Sequence, residues 1–167
     1  MDRESPKHPS VANIEYRYTL SRGPWIGHDA QPSGRLCWVM LNPSTADAHV
    51  DDPTIRRVVR FTKDNGYSDL VVVNLFAART TRPVHLREMG VQAVGPRNRQ
   101  AVATEMELAS AVVFAWGAYP HYWRGVPADG IALVLGITPL CLGRTKDGHP
   151  RHPLYVPANQ PFEEYPL

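Results

Sequence analysis

The sequence has few cysteines, no long apolar run and no strong excess of either charge. Cys37 and Cys141 are its only cysteines, which is too few for an all-cysteine iron–sulfur or zinc site. We therefore expect two buried, reduced thiols and no cofactor. Nothing approaches the run of about 18 apolar residues that crosses a membrane, and the polar N-terminus lacks an apolar signal region. These absences predict a cytoplasmic protein without a membrane partner.

The formal charges nearly cancel, with 18 Lys and Arg against 16 Asp and Glu and a net charge of +2. This balance permits a nucleic-acid partner without demanding one, because a basic face matters more than the sum. The chain also lacks a GxxxxGK[ST] phosphate loop, a GxGxxG turn and a GxSxG elbow. Nucleoside-triphosphate, dinucleotide and serine-hydrolase functions therefore lose support.

Short apolar runs alternate with helical patterns along most of the chain. Three runs are typical of strands buried on both faces, namely residues 36–41, 70–73 and 111–116, and residues 138–142 form a fourth, weaker strand. The helical patterns cover residues 52–66, 96–109 and 128–135. Residues 14–20 alternate apolar and polar side chains, which predicts a half-exposed edge strand.

This order of elements favours βαβ units and a mostly parallel sheet. We predict an α/β fold, namely a three-layer αβα sandwich with a mostly parallel four-stranded sheet. It would form a single domain over residues 12–167, preceded by a disordered tail of residues 1–11.

The first expected helix begins with a clear signal, because Asp52 suits the N-cap and Pro53 suits the first helical position. One face of this helix is basic and carries Arg56, Arg57, Arg60 and Lys63. Most charged helix faces are simply solvated, so we interpret this stripe as surface rather than as a phosphate-binding site.

Polar residues gather in the segments that follow the four apolar runs. These segments are residues 42–52, 74–83, 117–124 and 143–155. In open α/β sheets, ligands bind beyond the carboxyl ends of the strands. The sequence therefore predicts a site that is assembled from these four loops.

Asn42 and Pro43 open the first loop, and Asn-Pro is a turn signal. One interpretation is a tight turn in which Ser44 or Thr45 caps a short helix. The other is a rigid backbone that presents Asn42 and Asp47 to a ligand and offers amides to an anion. The residues alone weigh the two interpretations evenly.

Asn74 stands at the end of the second apolar run. Its side chain offers a donor and an acceptor and can read the edge of a nucleobase. The alternative, commoner for a lone Asn, is an Asx-turn that ends the strand. Phe76 either stacks on a base or packs in the core, and Arg79 and Arg82 either contact phosphate or lie exposed.

The last loop holds two His-Pro dipeptides and three cations. His149 and His152 are possible metal ligands, but no CxxC or HExxH partner accompanies them, so we expect no metal. A basic surface loop is the plainer alternative. A histidine held rigid by the following proline suits hydrogen bonding to an oxygen that gains charge in a transition state. Lys146 and Arg151 favour an anionic partner.

Several segments together resemble one protein family. They are LNPSTADAHVDDPTIRRV, VVNLFAARTTRP, VGPRN, AWG and LGRTKDGHPRHPLY. Through them, residues 14–165 resemble the family named domain of unknown function 1643, a name that implies no activity.

The order of the motifs is also similar, more distantly, to the uracil-DNA glycosylase superfamily, which has a parallel sheet between helices. Residues 40–44 resemble its Gly-x-Asn-Pro-Gly motif, which activates water. Asn74 with the downstream Arg82-Pro83 is similar to the strand-end Asn that reads a pyrimidine edge and to the Arg-Pro that follows it. Residues 152–154 resemble the His-Pro-Ser motif, whose His stabilises the departing base.

This chain departs from the superfamily pattern at Ser44, which replaces a glycine, and at Leu154, which replaces the serine. It also lacks the four cluster-binding cysteines of one branch, so the resemblance implies no iron–sulfur cluster.

The resemblance implies a nucleobase-recognising hydrolase that cleaves an N-glycosidic bond in nucleic acid. The implied roles are catalysis by Asn42, Asp47 and His152, base binding by Asn74, Phe76, Pro43 and Ser44, and phosphate binding by Lys146, Arg151 and Arg79. Neither a metal nor a cofactor is implied. Two alternatives stay open: a non-catalytic module that binds nucleic acid or nucleotides, and an enzyme that acts on free nucleotides.

Overall fold

A mixed β-sheet of six strands runs through the part of the chain that the computed structural model describes, namely residues 13–25, 34–44, 49–119 and 124–167. The strands are β1 (Leu20–Arg22), β2 (Arg35–Met40), β3 (Asp69–Asn74), β4 (Ala111–Phe114), β5 (Leu140–Cys141) and β6 (Glu163–Glu164). Their order in the sheet is β1-β3-β2-β4-β5-β6. The four central strands are parallel to one another, and β1 and β6 pair antiparallel at the two edges.

The α/β class predicted from the sequence is confirmed, but the predicted count of four strands is wrong because both edges carry an additional short strand. Residues 14–20 lie at the predicted edge, yet they contribute only a bridge between Tyr16 and Ala78 before β1 begins at Leu20. β6 consists of two exposed glutamates, which carry no apolar signal. The predicted disorder of residues 1–11 lies outside the described residues.

Helices cover both faces of the sheet. They are α1 (Pro53–Asp64), α2 (Val84–Met89), α3 (Asn98–Leu108) and α4 (Ala128–Leu135), with 3-10 helices at Gly90–Val94 and Pro153–Tyr155. In β2, Trp38 and Met40 pack with α1, whereas Cys37 and Val39 pack with the other three helices. None of the helices in the described ranges is both long enough and apolar enough to cross a membrane.

Two local predictions from the sequence are confirmed. The Asp52 side chain accepts a hydrogen bond from the Ile55 amide at 2.8 Å and so caps α1, with Pro53 as the first helical residue. Cys37 and Cys141 are both buried and unbridged, and burial raises the pKa of each thiol. Both thiols are therefore protonated and inert at neutral pH.

The strand order creates a crevice at one end of the sheet. From β2 the chain passes through α1 to β3 on one side, and it then returns past β2 to reach β4 on the other side. The connections after β2 and β4 therefore leave in opposite directions. Ligands of open α/β sheets bind at such a switch point.

Candidate functional site

A cavity of about 790 Å³ opens at the carboxyl ends of the parallel strands. All four predicted loops contribute to its wall, with Asn42 and Ser44 from the first, Asn74 and Thr80 from the second, Gly117 from the third, and Arg151 and His152 from the fourth. Its size falls in the ordinary range for small-molecule sites, roughly 300–1,000 Å³. The strand-end loops thus converge on one concave surface.

Asn74 is the last residue of β3 and lies in the cavity wall with only 3% of its surface exposed. None of the described residues hydrogen-bonds its side-chain amide. The Asx-turn alternative does not apply, because the amides of Leu75 and Phe76 donate instead to the Met40 and Leu41 carbonyls, each at 2.9 Å. Its polar side-chain atoms are not among the fully enclosed unpaired atoms of the described residues, so the carboxamide is open to a ligand in the cavity.

Asn42 ties the first two loops together. Its Nδ2 donates to the Pro43 carbonyl at 3.0 Å and to the Thr80 carbonyl at 2.9 Å. Both N–H donors are therefore used within the protein, and any contact of this side chain with water or a ligand falls to Oδ1. Ser44 also lines the cavity, while Thr45 and Asp47 lie outside the described residues.

His152 lies against the loop that follows β4. A Cβ added to Gly117, whose φ is +73°, would come within 3.3 Å of the His152 Cβ, so glycine is needed there for conformation and for close approach. Nδ1 of His152 accepts a hydrogen bond from the Leu154 amide at 3.2 Å. In the neutral ring the proton therefore resides on Nε2, which makes that atom a donor.

Burial lowers the pKa of His152 below its ordinary value of 6.5, against the opposing effect of the Asp52 carboxylate. The ring is thus neutral at pH 7. We expect an NMR titration to place this pKa below 6.5, and to place it lower still in Asp52→Asn, a variant that keeps the helix cap.

The same shift has a consequence for stability. His152 binds its proton more tightly in the unfolded chain than in the folded one. The contribution of His152 to the free energy of unfolding therefore falls as pH drops through 6.5 toward the folded-state pKa. A pKa at or above 6.5 in the wild type would contradict the buried environment.

Arg57 holds the turn that carries His152. Its guanidinium donates to the carbonyls of Pro153, at 3.2 Å, and Val156, and it lies 5.0 Å above the Phe61 ring. The interpretation of the whole basic stripe of α1 as solvated surface is therefore wrong for this residue. Sequence periodicity placed Arg57 on the polar face but could not show that the C-terminal segment packs there.

Asn98 is a polar residue of the site region that sequence reasoning missed. It is the first residue of α3 and is fully buried. Its Nδ2 donates to the Asn74 carbonyl at 2.8 Å and is 3.4 Å from that of Leu75. The only available signal was its position in the VGPRN segment, at the start of the expected helix.

One comparison with known proteins gives a match, and the match covers most of the residues that form the cavity wall. The model of the family described as "Protein of unknown function (DUF1643)" matches residues 17–154. The chain belongs to this family. The matched range runs from Arg17 to beyond His152 and so contains nearly all of the cavity wall; Tyr155 falls just outside it. Comparison with curated proteins and with solved structures gave no match.

In this DUF1643 chain, three of the predicted site residues that the structure describes do not line the cavity. Phe76 is fully buried, with Gly125 packed closely against its ring and with the ring of Tyr119 in an edge-to-face arrangement at a centroid distance of 6.3 Å. Arg79 forms an ion pair with Glu15. Lys146 is exposed and lies away from the cavity wall. Aromatic surface in the cavity comes instead from Trp116 and Tyr155.

Tyr155 is 80% exposed, and its ring lies 5.5 Å from that of His152. The second histidine of this loop, His149, packs against Tyr119 with ring centroids 5.9 Å apart. Within the described ranges, no three His, Cys, Asp or Glu side chains are grouped so that they could share a metal ion.

The charge of the cavity wall has one sign. Its charged members among the described residues are Arg17 and Arg151, and no carboxylate of these residues lines it. Arg151 uses Nε to bond the Arg144 carbonyl at 3.2 Å. The wall therefore suits a ligand that is polar along one edge and carries negative charge.

Proposed function

We propose that this DUF1643 protein recognises a nucleobase and hydrolyses its N-glycosidic bond in nucleic acid. The observation that carries the proposal is the Asn74 carboxamide, which is buried in the cavity wall and has no partner among the described residues. A carboxamide pairs with a base edge that offers one donor beside one acceptor, as a uracil-type base does. If Asn74 only packed against its neighbours, an apolar side chain would suffice at this position.

The positions of Asn74 and His152 in one cavity support a ligand that contacts both. Asn74 ends β3, and His152 contacts the glycine that follows β4. These strands lie two positions apart in the sheet, and both residues line the same cavity.

The chemistry follows from the atoms that remain for a ligand. The bond between C1′ of the sugar and the base nitrogen breaks, and its electron pair leaves with the base, where it delocalises onto a carbonyl oxygen of the base. The Nε2–H of neutral His152 donates to that oxygen as its charge develops. Water adds to C1′ and gives up one proton, and the leaving base gains one.

Asn42 would place this water, because Oδ1 can accept one of its hydrogen atoms. Asp47 stays a predicted second candidate for this role. A base in a duplex has to leave the stack to enter such a cavity, and Arg151 at the wall would meet its phosphate. The resemblance to the uracil-DNA glycosylase superfamily supports the same reaction, although fold alone does not decide chemistry.

The test uses a panel of single- and double-stranded oligonucleotides that each carry one modified base, scored for abasic sites after incubation with the full chain. We expect at least one substrate to yield abasic product in the wild type. Binding of oligonucleotides without any abasic product would contradict the hydrolase and indicate the non-catalytic module. Release of free base from mononucleotides alone would indicate an enzyme of free nucleotides.

A further inference from the structure

Asn98 combines complete burial with incomplete hydrogen bonding. Its Nδ2 is used by two carbonyls of the segment that follows β3, but its Oδ1 is buried and has no partner among the described residues. Buried polar side chains are normally satisfied, so an exception calls for a reason. An apolar side chain would avoid the unpaired oxygen but would leave the Asn74 carbonyl without this donor, so the amide at this position is accounted for by the main chain that it holds.

The shorter of the two hydrogen bonds goes to Asn74, the residue that faces the cavity. Asn98 donates to the main-chain carbonyl of Asn74 at 2.8 Å, while the next two amides are held by β2 and its loop. The peptide between Asn74 and Leu75 is thus fixed from both sides. Because χ1 of a side chain depends on its backbone, this peptide sets the direction of the Asn74 carboxamide.

The chain before α3 is built so that Asn98 reaches this place. Gly95 has a φ of +85°, and a Cβ on it would come within 3.0 Å of Tyr16 and 3.2 Å of Ala77. The Gly95 carbonyl accepts a hydrogen bond from the main-chain N–H of Asn98 at 3.2 Å. A close-packed turn therefore delivers the first residue of α3 to the end of β3.

We propose that Asn98 is a positioning residue, which fixes the end of β3 so that the Asn74 carboxamide faces the ligand. The expected change in ligand binding rests on the proposed function, whereas the expected change in the direction of the Asn74 side chain does not. Asn98 itself touches no ligand, since it does not line the cavity.

The matched control is Asn65, whose Nδ2 also donates to a main-chain carbonyl, that of Phe61 at 2.8 Å. Asn65 caps the far end of α1 and is not part of the cavity wall. The test compares Asn98→Leu with Asn65→Leu, and uses Asn98→Ser if the leucine variant does not fold. Two quantities are measured: the side-chain amide resonances of Asn74 in ligand-free protein, and the binding of deoxyuridine monophosphate relative to its N3-methyl derivative.

We expect the Asn98 variant to shift the Asn74 side-chain resonances and to reduce the preference for the unmethylated nucleotide about tenfold, the scale of one base contact. Asn65→Leu should leave both unchanged. Unmoved Asn74 resonances in the Asn98 variants would overturn the inference. If the wild type shows no preference between the nucleotides, the reading of a uracil-type base by Asn74 fails, and the resonances alone decide the role of Asn98.

Discussion

Replacing His152 by alanine should lower the rate of base excision by about 10²–10³-fold, the usual effect of losing one donor to a developing oxyanion. The reason is that Nδ1 of His152 is used by the Leu154 amide, so that Nε2 carries the proton. The rate is measured by single-turnover release of base from the best oligonucleotide of the panel.

The matched control for this variant is His149→Ala. His149 belongs to the same loop and also precedes a proline, but its ring packs against Tyr119 and does not line the cavity. It should retain the wild-type rate within about threefold. Equal rates for His152→Ala and the wild type would exclude His152 as the group that stabilises the leaving base.

Replacing Asn74 by leucine should weaken substrate discrimination and leave the stability of the fold nearly unchanged. One amide–base pair accounts for about 1–3 kcal/mol of discrimination, so the ratio of kcat/KM between the preferred and an N3-methylated base should fall by roughly 10–100-fold. The side chain has no hydrogen-bond partner among the described residues, and its polar atoms are open to the cavity. No hydrogen bond within the described protein is therefore lost, and the free energy of unfolding should change by less than about 1 kcal/mol.

Loss of discrimination without loss of stability distinguishes a binding role from a structural one. In the control variant Asn65→Leu a hydrogen bond to Phe61 is lost, so the free energy of unfolding should fall by about 1 kcal/mol while discrimination stays unchanged. Urea denaturation measures the stability of both variants. A fold destabilised by Asn74→Leu with unchanged discrimination would contradict the role assigned to Asn74.

The central strands could be predicted because burial on both faces leaves a direct mark in the sequence. The expected residues 36–41 and 70–73 correspond to Arg35–Met40 and Asp69–Asn74. β6 left no such mark. It consists of the exposed residues Glu163 and Glu164, which pair antiparallel with β5.

The convergence of Asn42, Asn74 and His152 on one cavity could also be predicted from little more than the order of the strands and helices, since all parallel strands end at the same edge. The placement of Phe76 could not be derived in this way, because it depends on Gly125, which packs against it from elsewhere in the chain. Asn98 and Arg57 were missed for the same reason. Each acts on a segment that is distant in sequence, at separations that periodicity does not detect.

The central claim is that Asn74 and His152 hold one base between them, and NMR of the full chain during titration with a uracil-type nucleotide tests it most directly. We predict that the side-chain amide of Asn74 and the ring Nε2–H of His152 shift together along one binding curve. The amide of Asn65 and the ring of His149 should not shift. Saturable binding that moves neither Asn74 nor His152 would contradict the account.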